Sequence, residues 1–294
     1  MGKEDLRVLG VDLGGSSVKM GLLDPERGLV DVRKADTIVG DPEAMVSLMC
    51  DIAAGYDPDI IGVGSAGGIN HKTGLVGAGN LKWREVPLRR MLEDRLGRPV
   101  WVDNDAQAAL MAEAYNGVIA GANCAVYMTL GTGVGGALLI EGKPWRGGDN
   151  TAFELGHMIT RAGGVKCMCG RLGCYESYAS SGALSRYAGG KPERAVIDGV
   201  IAGDPEALKA FDIYLYELCV GIVSVINLFR PEVIALGGGV SAAGAALVDG
   251  AERILEERFM ISQDKVTTKI KLAVHKNDAG MIGAAALARL HLIK

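Results

Sequence analysis

Half of the six cysteines fall within eight positions, in the run CMCGRLGC at residues 167–174. Thiols this dense close a disulfide, cycle as a redox pair, or hold a metal ion. A redox pair is normally spaced C-x-x-C in a thioredoxin-like setting, which is absent here. Ten residues before Cys167, in FELGHM, stands His157. His157 with Cys167, Cys169 and Cys174 supplies one nitrogen and three sulfur donors. That is a complete tetrahedral set for Zn2+ with no open position, the make-up of a structural site. The glycines within the run let a short loop wrap an ion. Glu154 and Glu176 bracket this stretch.

A second chemical candidate lies in RPVWVDNDAQAALMAEAYNG. A strand over 99–103 is expected to run into a helix from about Ala106, with Asp105 at the junction. The plain reading of an Asp there is a helix N-cap. A helix N-terminus also keeps a carboxylate ionised and fixed. Both properties suit a general base that accepts a proton from a hydroxyl group. Asn104 beside it, and Asn80 in GNLKW at 79–83, each offer a donor and an acceptor to a sugar hydroxyl.

Two glycine-rich turns echo each other. In VLGVDLGGSSVKMGLLD, residues 8–24, an apolar strand ends at Asp12, and a second runs from Val18 to Leu23. In AVYMTLGTGVGGALLIEG, residues 125–142, a strand ends at Thr129, GTGVGG follows, and another strand runs through Leu139. Leu13-Gly14 aligns with Leu130-Gly131 at an offset of 117 residues. Backbone N–H groups at such tips can approach an anion closely, because no Cβ intervenes. Gly14, Gly15, Ser16 and Lys19 in the first turn, and Gly131, Thr132 and Gly133 in the second, are therefore candidate polyphosphate contacts. Asp12 could hold Mg2+ through water. Neither turn has the P-loop pattern or a G-x-G-x-x-G that opens a helix. The alternative is two ordinary tight turns. A third cluster, Gly237, Gly238 and Gly239 in PEVIALGGGVSAAG, ends a strand expected over Val233–Leu236. A flat nucleobase could lie there, since ligands of α/β sheets sit beyond the carboxyl ends of strands.

The elements that must position these groups alternate between β-branched runs and helical patterns, which indicates an α/β architecture. Asp204-Pro205-Glu206 is a helix start. Leu208, Phe211, Leu215, Leu218, Ile222 and Ile226 then recur at helical spacing as its expected buried face, and Pro231 closes it. With 294 residues, 49% of them hydrophobic, the chain can bury one large core or two moderate ones. Net charge is −4 and no basic run stands out, so tight nucleic-acid binding is not expected. No stretch of about eighteen apolar residues stands out, so no membrane span is expected. The start MGKEDL suits neither a signal peptide nor a myristoylation site. A cytoplasmic protein is expected, where thiols stay reduced and a structural disulfide is disfavoured.

Together DLGGSSVKMGLLD, NLKW, VDNDA, LGTGVGG, ELGH, CMCGRLGCYESYAS, LGGGVS and NDAGMIGAA resemble the ROK family of sugar kinases and repressors, over Val8 to Ala286. The resemblance implies an actin-like α/β fold of two lobes, each with a ribonuclease-H-like sheet, closing over a cleft. It implies an N-terminal lobe over 1–115 and a larger C-terminal lobe over 116–279 that carries the zinc loop. A C-terminal helix of about 280–294 would pack back on the first lobe. It further implies transfer of phosphate from ATP, with Mg2+, to the 6-hydroxyl of a hexose, with Asp105 as base. Gly67, Asn80, Asn104, Asp105, Glu154, His157 and Glu176 would bind the sugar. His157 would then serve zinc with one nitrogen and the sugar with the other. Homodimers or homotetramers are the family's habit.

Residues 65–68 read Ser-Ala-Gly-Gly, which resembles the loop of N-acetylmannosamine kinases, whereas GNLKWREVPLRRMLEDRLGRPV resembles the glucokinase members. Glucose is the expected substrate, with N-acetylmannosamine as the alternative. Repressor members add an N-terminal DNA-binding domain, for which the eleven residues before Asp12 are too few. Members that use polyphosphate tend to carry extra basic residues, and none stand out here.

Overall fold

The computed structural model describes residues 6–148, 151–259 and 267–292. The chain divides into two compact units. The first is Met1–Ala120 with Arg146–Ala152 and His275–Lys294; the second is Gly121–Trp145 with Phe153–Val274. The short return of 146–152 to the first unit has no signature in the sequence.

In the first unit, strands β1 (Val8–Leu13), β2 (Ser17–Asp24) and β3 (Gly28–Asp36) form an antiparallel meander. Helix α1 (Pro42–Ala54) starts on Asp41, whose side chain accepts the Ala44 N–H, with Pro42 in the first turn. β4 (Ile60–Ser65) then pairs parallel with β1. A small sheet of β5 (Gly68–Asn70), β6 (Leu75–Ala78) and β7 (Trp83–Val86) interrupts the pattern. α2 (Leu88–Leu96) leads to β8 (Val100–Asn104), which pairs parallel with β4. α3 (Asp105–Asn116) follows directly. The sheet order is β3-β2-β1-β4-β8.

The second unit repeats this plan. β9 (Ala125–Leu130), β10 (Val134–Ile140) and β11 (Lys143–Trp145) form the meander. After the cysteine loop come α4 (Glu176–Ala179), α5 (Ser181–Tyr187), α6 (Glu193–Ala202) and α7 (Pro205–Phe229). β12 (Val233–Gly237) pairs parallel with β9. α8 (Ala245–Arg258) and β13 (Lys269–Leu272) complete the order β11-β10-β9-β12-β13. The same order and the same strand directions occur twice, which is the structural counterpart of the 117-residue offset. The GTGVGG tip is shorter than its glycines suggested: Val134, Gly135 and Gly136 already belong to β10.

Helix α9 (Ala279–Leu292) returns to the first unit; residues 293 and 294 of the expected 280–294 helix lie outside the described residues. Along β1 and β4, alternate side chains face opposite ways. Leu9, Val11, Leu13, Ile61 and Val63 meet Met45, Met49, Leu88 and Leu92 of α1 and α2. The other face carries glycine. A Cβ on Gly10 would overlap the Met281 carbonyl, and one on Gly62 the Ala284 carbonyl. α9 therefore lies nearly against the strand backbone. Its own Gly283 touches the Ala108 carbonyl of α3, so the two alanine-rich helices also pack at backbone distance. Gly10, Gly62 and Gly283 thus serve close packing inside elements.

In the second unit Phe211, Leu215, Leu218, Ile222 and Ile226 of α7 pack on Val126, Met128 and Leu130 of β9. Leu208 departs from that expected face and is exposed, while its neighbour Ala207 takes the buried position in that turn. α7 is long and apolar enough to cross a membrane by length and composition, contrary to the expectation from the sequence, and 56% of its apolar window is buried in the protein. It serves as the core helix of this unit.

Candidate functional site

In the first unit the register of three parallel strands assembles the candidates. Leu13 lies beside Ser65, and Ser65 beside Asn104, at the carboxyl ends of β1, β4 and β8. Asp12 is one residue back on its strand, Gly67 two beyond, and Asp105 one beyond. The helix cap differs from the sequence expectation. Asn104 is the N-cap: its Oδ1 accepts the Ala106 N–H at 2.8 Å. Asp105 is the first helical residue, and its own Oδ1 also accepts from Ala106 N–H at 2.8 Å. The Asn104 amide donates to the Gly67 carbonyl at 3.0 Å. Gly67 has φ 102°, and a Cβ there would overlap the Gly77 carbonyl, so this loop requires glycine.

Asp105 keeps solvent contact, so its desolvation is partial. Burial by surrounding protein, and then the like charge of Asp12, still push its carboxyl up to about 6, against the Ala106 hydrogen bond that lowers it. Asp12 is half-buried, and burial raises its carboxyl, opposed by Lys19. Lys19 Nζ stands 3.4 Å from Asp12 Oδ2 and 3.3 Å from the Asn277 carbonyl. Gly280, at the start of α9, leaves room for the Asp12 carboxylate. The first hairpin tip is held by Thr37, whose Oγ1 donates to the Gly14 carbonyl at 2.7 Å. Asn80, exposed on a single helical turn, has its amide against Gly15. Ser16 at the tip is exposed.

Behind Asn104 lies a buried carboxylate that the sequence reading missed. Asp103, 3% exposed, accepts the Asn104 N–H at 2.9 Å, the Trp101 indole N–H at 3.2 Å, and the Arg146 guanidinium. Arg146 belongs to the returning 146–152 segment and is 43 residues away, a separation no local pattern reveals.

In the second unit Gly131, Thr132 and Gly133 form the hairpin tip, with Gly131 N–H donating to the Gly133 carbonyl at 3.0 Å. Gly237 lies beside Thr129 in register, so Gly237, Gly238 and Gly239 follow the neighbouring strand end. Gly238 and Gly239 are exposed.

The cysteine loop folds as a small hairpin, with Ile159 bridged to Cys174 and Lys166 to Leu172. It brings Cys167, Cys169, Cys174 and His157 together, with all four ligand atoms within 4.8 Å of one another. Cys169 and Cys174 sulfurs are 3.6 Å apart, and His157 Nδ1 is 4.0 Å from Cys167 Sγ. Nδ1 is thus the nitrogen turned to the sulfurs, which leaves Nε2 for another partner. Burial first, and the neighbouring thiols second, push the Cys174 thiol up to about 12. A dication would relieve that crowding of soft donors. Glu154 is exposed just before the turn Leu155–His157.

Glu176 is aimed by a residue the sequence reading also missed. Tyr175, 1% exposed, inserts over Gly221 of α7 and donates its hydroxyl to the Leu218 carbonyl at 2.7 Å. The next residue is thereby turned toward β10. Glu176 Oε2 accepts the Val134 N–H at 3.2 Å, and Oε1 stands 3.5 Å from Cys167 Sγ.

The ROK family model matches residues 8–291. A glucokinase of Streptomyces coelicolor is 32% identical, over 96% of this chain and 97% of that protein. An N-acetyl-D-glucosamine kinase of Citrobacter koseri is 30% identical, over 95% of this chain and 98% of that one. The crystal structure of a ROK glucokinase from Streptomyces griseus, in complex with glucose and AMPPNP, is 31% identical. It covers 97% of this chain and 99% of that chain, with a TM-score of 0.83.

Proposed function

The chain belongs to the ROK family, and from that premise we propose that it is an ATP-dependent kinase of the hexose 6-hydroxyl, with glucose as its substrate. The observation that carries the reading is Asp105: a fixed carboxylate at the first turn of α3, raised to about 6 and flanked by the hydrogen-bonding Asn104. As the sugar oxygen attacks the γ-phosphorus in line, its proton passes to Asp105, and ADP leaves from the opposite side. Such a base contributes about 10²–10⁴-fold.

Gly67, Asn80, Asn104, Asp105, Glu154, His157 and Glu176 are assigned to sugar hydroxyls. The backbone N–H groups of Gly14, Gly15 and Ser16, with Lys19, and those of Gly131, Thr132 and Gly133 are assigned to phosphate oxygens. Gly237, Gly238 and Gly239 are assigned to the nucleoside. Asp12, paired with Lys19 at 3.4 Å, suits a water-mediated hold on Mg2+, which would neutralise phosphate charge.

The cysteine cluster fits Zn2+. A tetrahedral ion with bonds of about 2.3 Å to sulfur and about 2.0 Å to nitrogen holds sulfur pairs roughly 3.8 Å and sulfur–nitrogen pairs roughly 3.5 Å apart. Cys169 and Cys174 at 3.6 Å match, and His157 at 4.0 Å from Cys167, with all donors within 4.8 Å, needs only a small contraction. The ion would supply rigidity to the loop that carries His157 and Glu176, and the chemistry stays with the carboxylate.

The identity of 32% to a glucokinase over nearly the whole chain supports glucose. The Ala66-Gly67 loop supports N-acetylmannosamine as the second reading. A coupled ADP-release screen over glucose, mannose, fructose, N-acetylglucosamine and N-acetylmannosamine decides. Glucose should exceed N-acetylmannosamine by well over about tenfold in kcat/KM, or about 1.4 kcal/mol in transition-state binding. Equal values would overturn the assignment. We place the enzyme in the cytoplasm, as a homodimer or homotetramer. Exposed Ile213, Tyr216 and Leu228 on α7 support self-association, and sedimentation velocity tests it.

A further inference from the structure

Three segments meet at the first residue of β10. Glu176 Oε2 accepts the Val134 N–H at 3.2 Å. Gly156, from the ELGH turn, packs where a side chain would overlap the Val134 carbonyl. The residue before Val134 is Gly133, and a Cβ there would overlap Glu176 Oε2. The seat of the Glu176 carboxylate therefore exists because position 133 lacks a side chain. Gly131, two residues away in the same tip, has open space around its Cβ position, so the requirement is specific to 133.

We propose that Gly133 is a positioning residue for the hexose: it seats the Glu176 carboxylate on the Val134 N–H and so couples the phosphate-binding tip to sugar affinity. The proposal rests on the reading that Glu176 binds a sugar hydroxyl. A carboxylate held by one backbone N–H has one oxygen fixed and aims the group as a whole. A methyl at 133 displaces the flexible end of Glu176 and leaves the backbone of β10 in place. By linkage, whatever draws the tip's N–H groups toward a phosphate changes the hold on Glu176, and sugar bound to Glu176 changes the tip's affinity for phosphate by the same factor.

The test is glucose affinity by titration calorimetry in the absence of nucleotide, where a role confined to phosphate contact is silent. Gly133→Ala should weaken glucose binding about tenfold, whereas Gly131→Ala should leave it within about twofold and alter only the KM for ATP. Glu176→Ala removes the overlap, so adding Gly133→Ala to it should cost less than about twofold more. Circular dichroism and Tm establish that each variant is folded. Unchanged glucose affinity in Gly133→Ala, with Glu176→Ala impaired, overturns the coupling alone. Wild-type affinity in Glu176→Ala overturns the sugar role of Glu176 and the proposal with it. Full additivity of the two substitutions also overturns it, because Gly133 would then act by another route.

Discussion

The side-chain amide of Asn104 donates to the carbonyl of Gly67 at 3.0 Å, across 37 residues of sequence. One residue thereby caps α3 through its oxygen and ties the glycine loop through its nitrogen.

Asn104→Asp separates these duties. Asp caps a helix as well as Asn, so the cap of α3 should hold. The amide donor is lost, and a second carboxylate faces both the Gly67 carbonyl and Asp105. Glucose KM should rise at least about tenfold. The acidic limb of kcat/KM should move above pH 6, since a like charge disfavours the ionised base. A KM equal to wild type would show that the tie has no part in binding.

With Asp105 near 6, kcat/KM should fall as pH drops through about 6, because the base must be ionised to accept a proton. The stability effect has the opposite direction. A carboxyl raised in the fold binds more protons there than in the unfolded chain, so its contribution to stability is lost as pH rises from about 4 to about 6. Asp105→Asn, which can still accept from Ala106 N–H, should therefore lose at least about 10²-fold in kcat with no loss of Tm at pH 7. Rate and melting curves from pH 5 to 8 check both halves. Retention of more than about a tenth of kcat would remove Asp105 from the role of base.

One zinc per chain is expected by elemental analysis of protein purified without chelator. Stripping it should lower Tm and weaken glucose binding together, because the metal's binding energy is also loop-folding energy. Cys174→Ser should reproduce the loss, whereas Cys50→Ser on α1 should not. Absence of zinc, or a disulfide among Cys167, Cys169 and Cys174, would contradict the assignment.

Asp103→Ala leaves the Arg146 guanidinium, whose side chain is 12% exposed, without its carboxylate. Breaking such a pair from one side costs about 3–5 kcal/mol. Asp103→Asn keeps an acceptor for the Asn104 N–H and should cost less. Urea unfolding of both variants measures the difference. A loss below about 1 kcal/mol in Asp103→Ala would mean that the Asp103 carboxylate is not what holds Arg146 in place.

Both glycine hairpins could be found in the sequence because each is local: two short apolar runs with a turn between them. The cysteine cluster was legible for the same reason, since His157, Cys167, Cys169 and Cys174 lie within 18 residues. The exchange of roles between Asn104 and Asp105 was not. Adjacent Asn and Asp are equally good caps, and only the pairing of Asn104 with Gly67 decides between them. Asp103 with Arg146, and Tyr175 over Gly221, depend on register and helix packing across 43 and 46 residues, which local periodicity does not encode. Gly10 and Gly62 read as strand-weakening residues until a helix backbone is laid against them.

That helix follows the strands of both units in sequence. α9 covers the glycine face of β1 and β4, yet the whole second unit lies between them in sequence. A ribosome adding 5–20 residues per second needs on the order of 10–35 s to travel the roughly 170 residues from the end of the first segment to the end of α9. Through that interval the earliest strands have emerged and one of their faces is bare, while the second unit already has nearly all its parts. The portion synthesised first is thus the portion completed last. Until α9 emerges, the glycine face at Gly10 and Gly62 has no cover, and a truncation within α9 should be felt at β1 and β4.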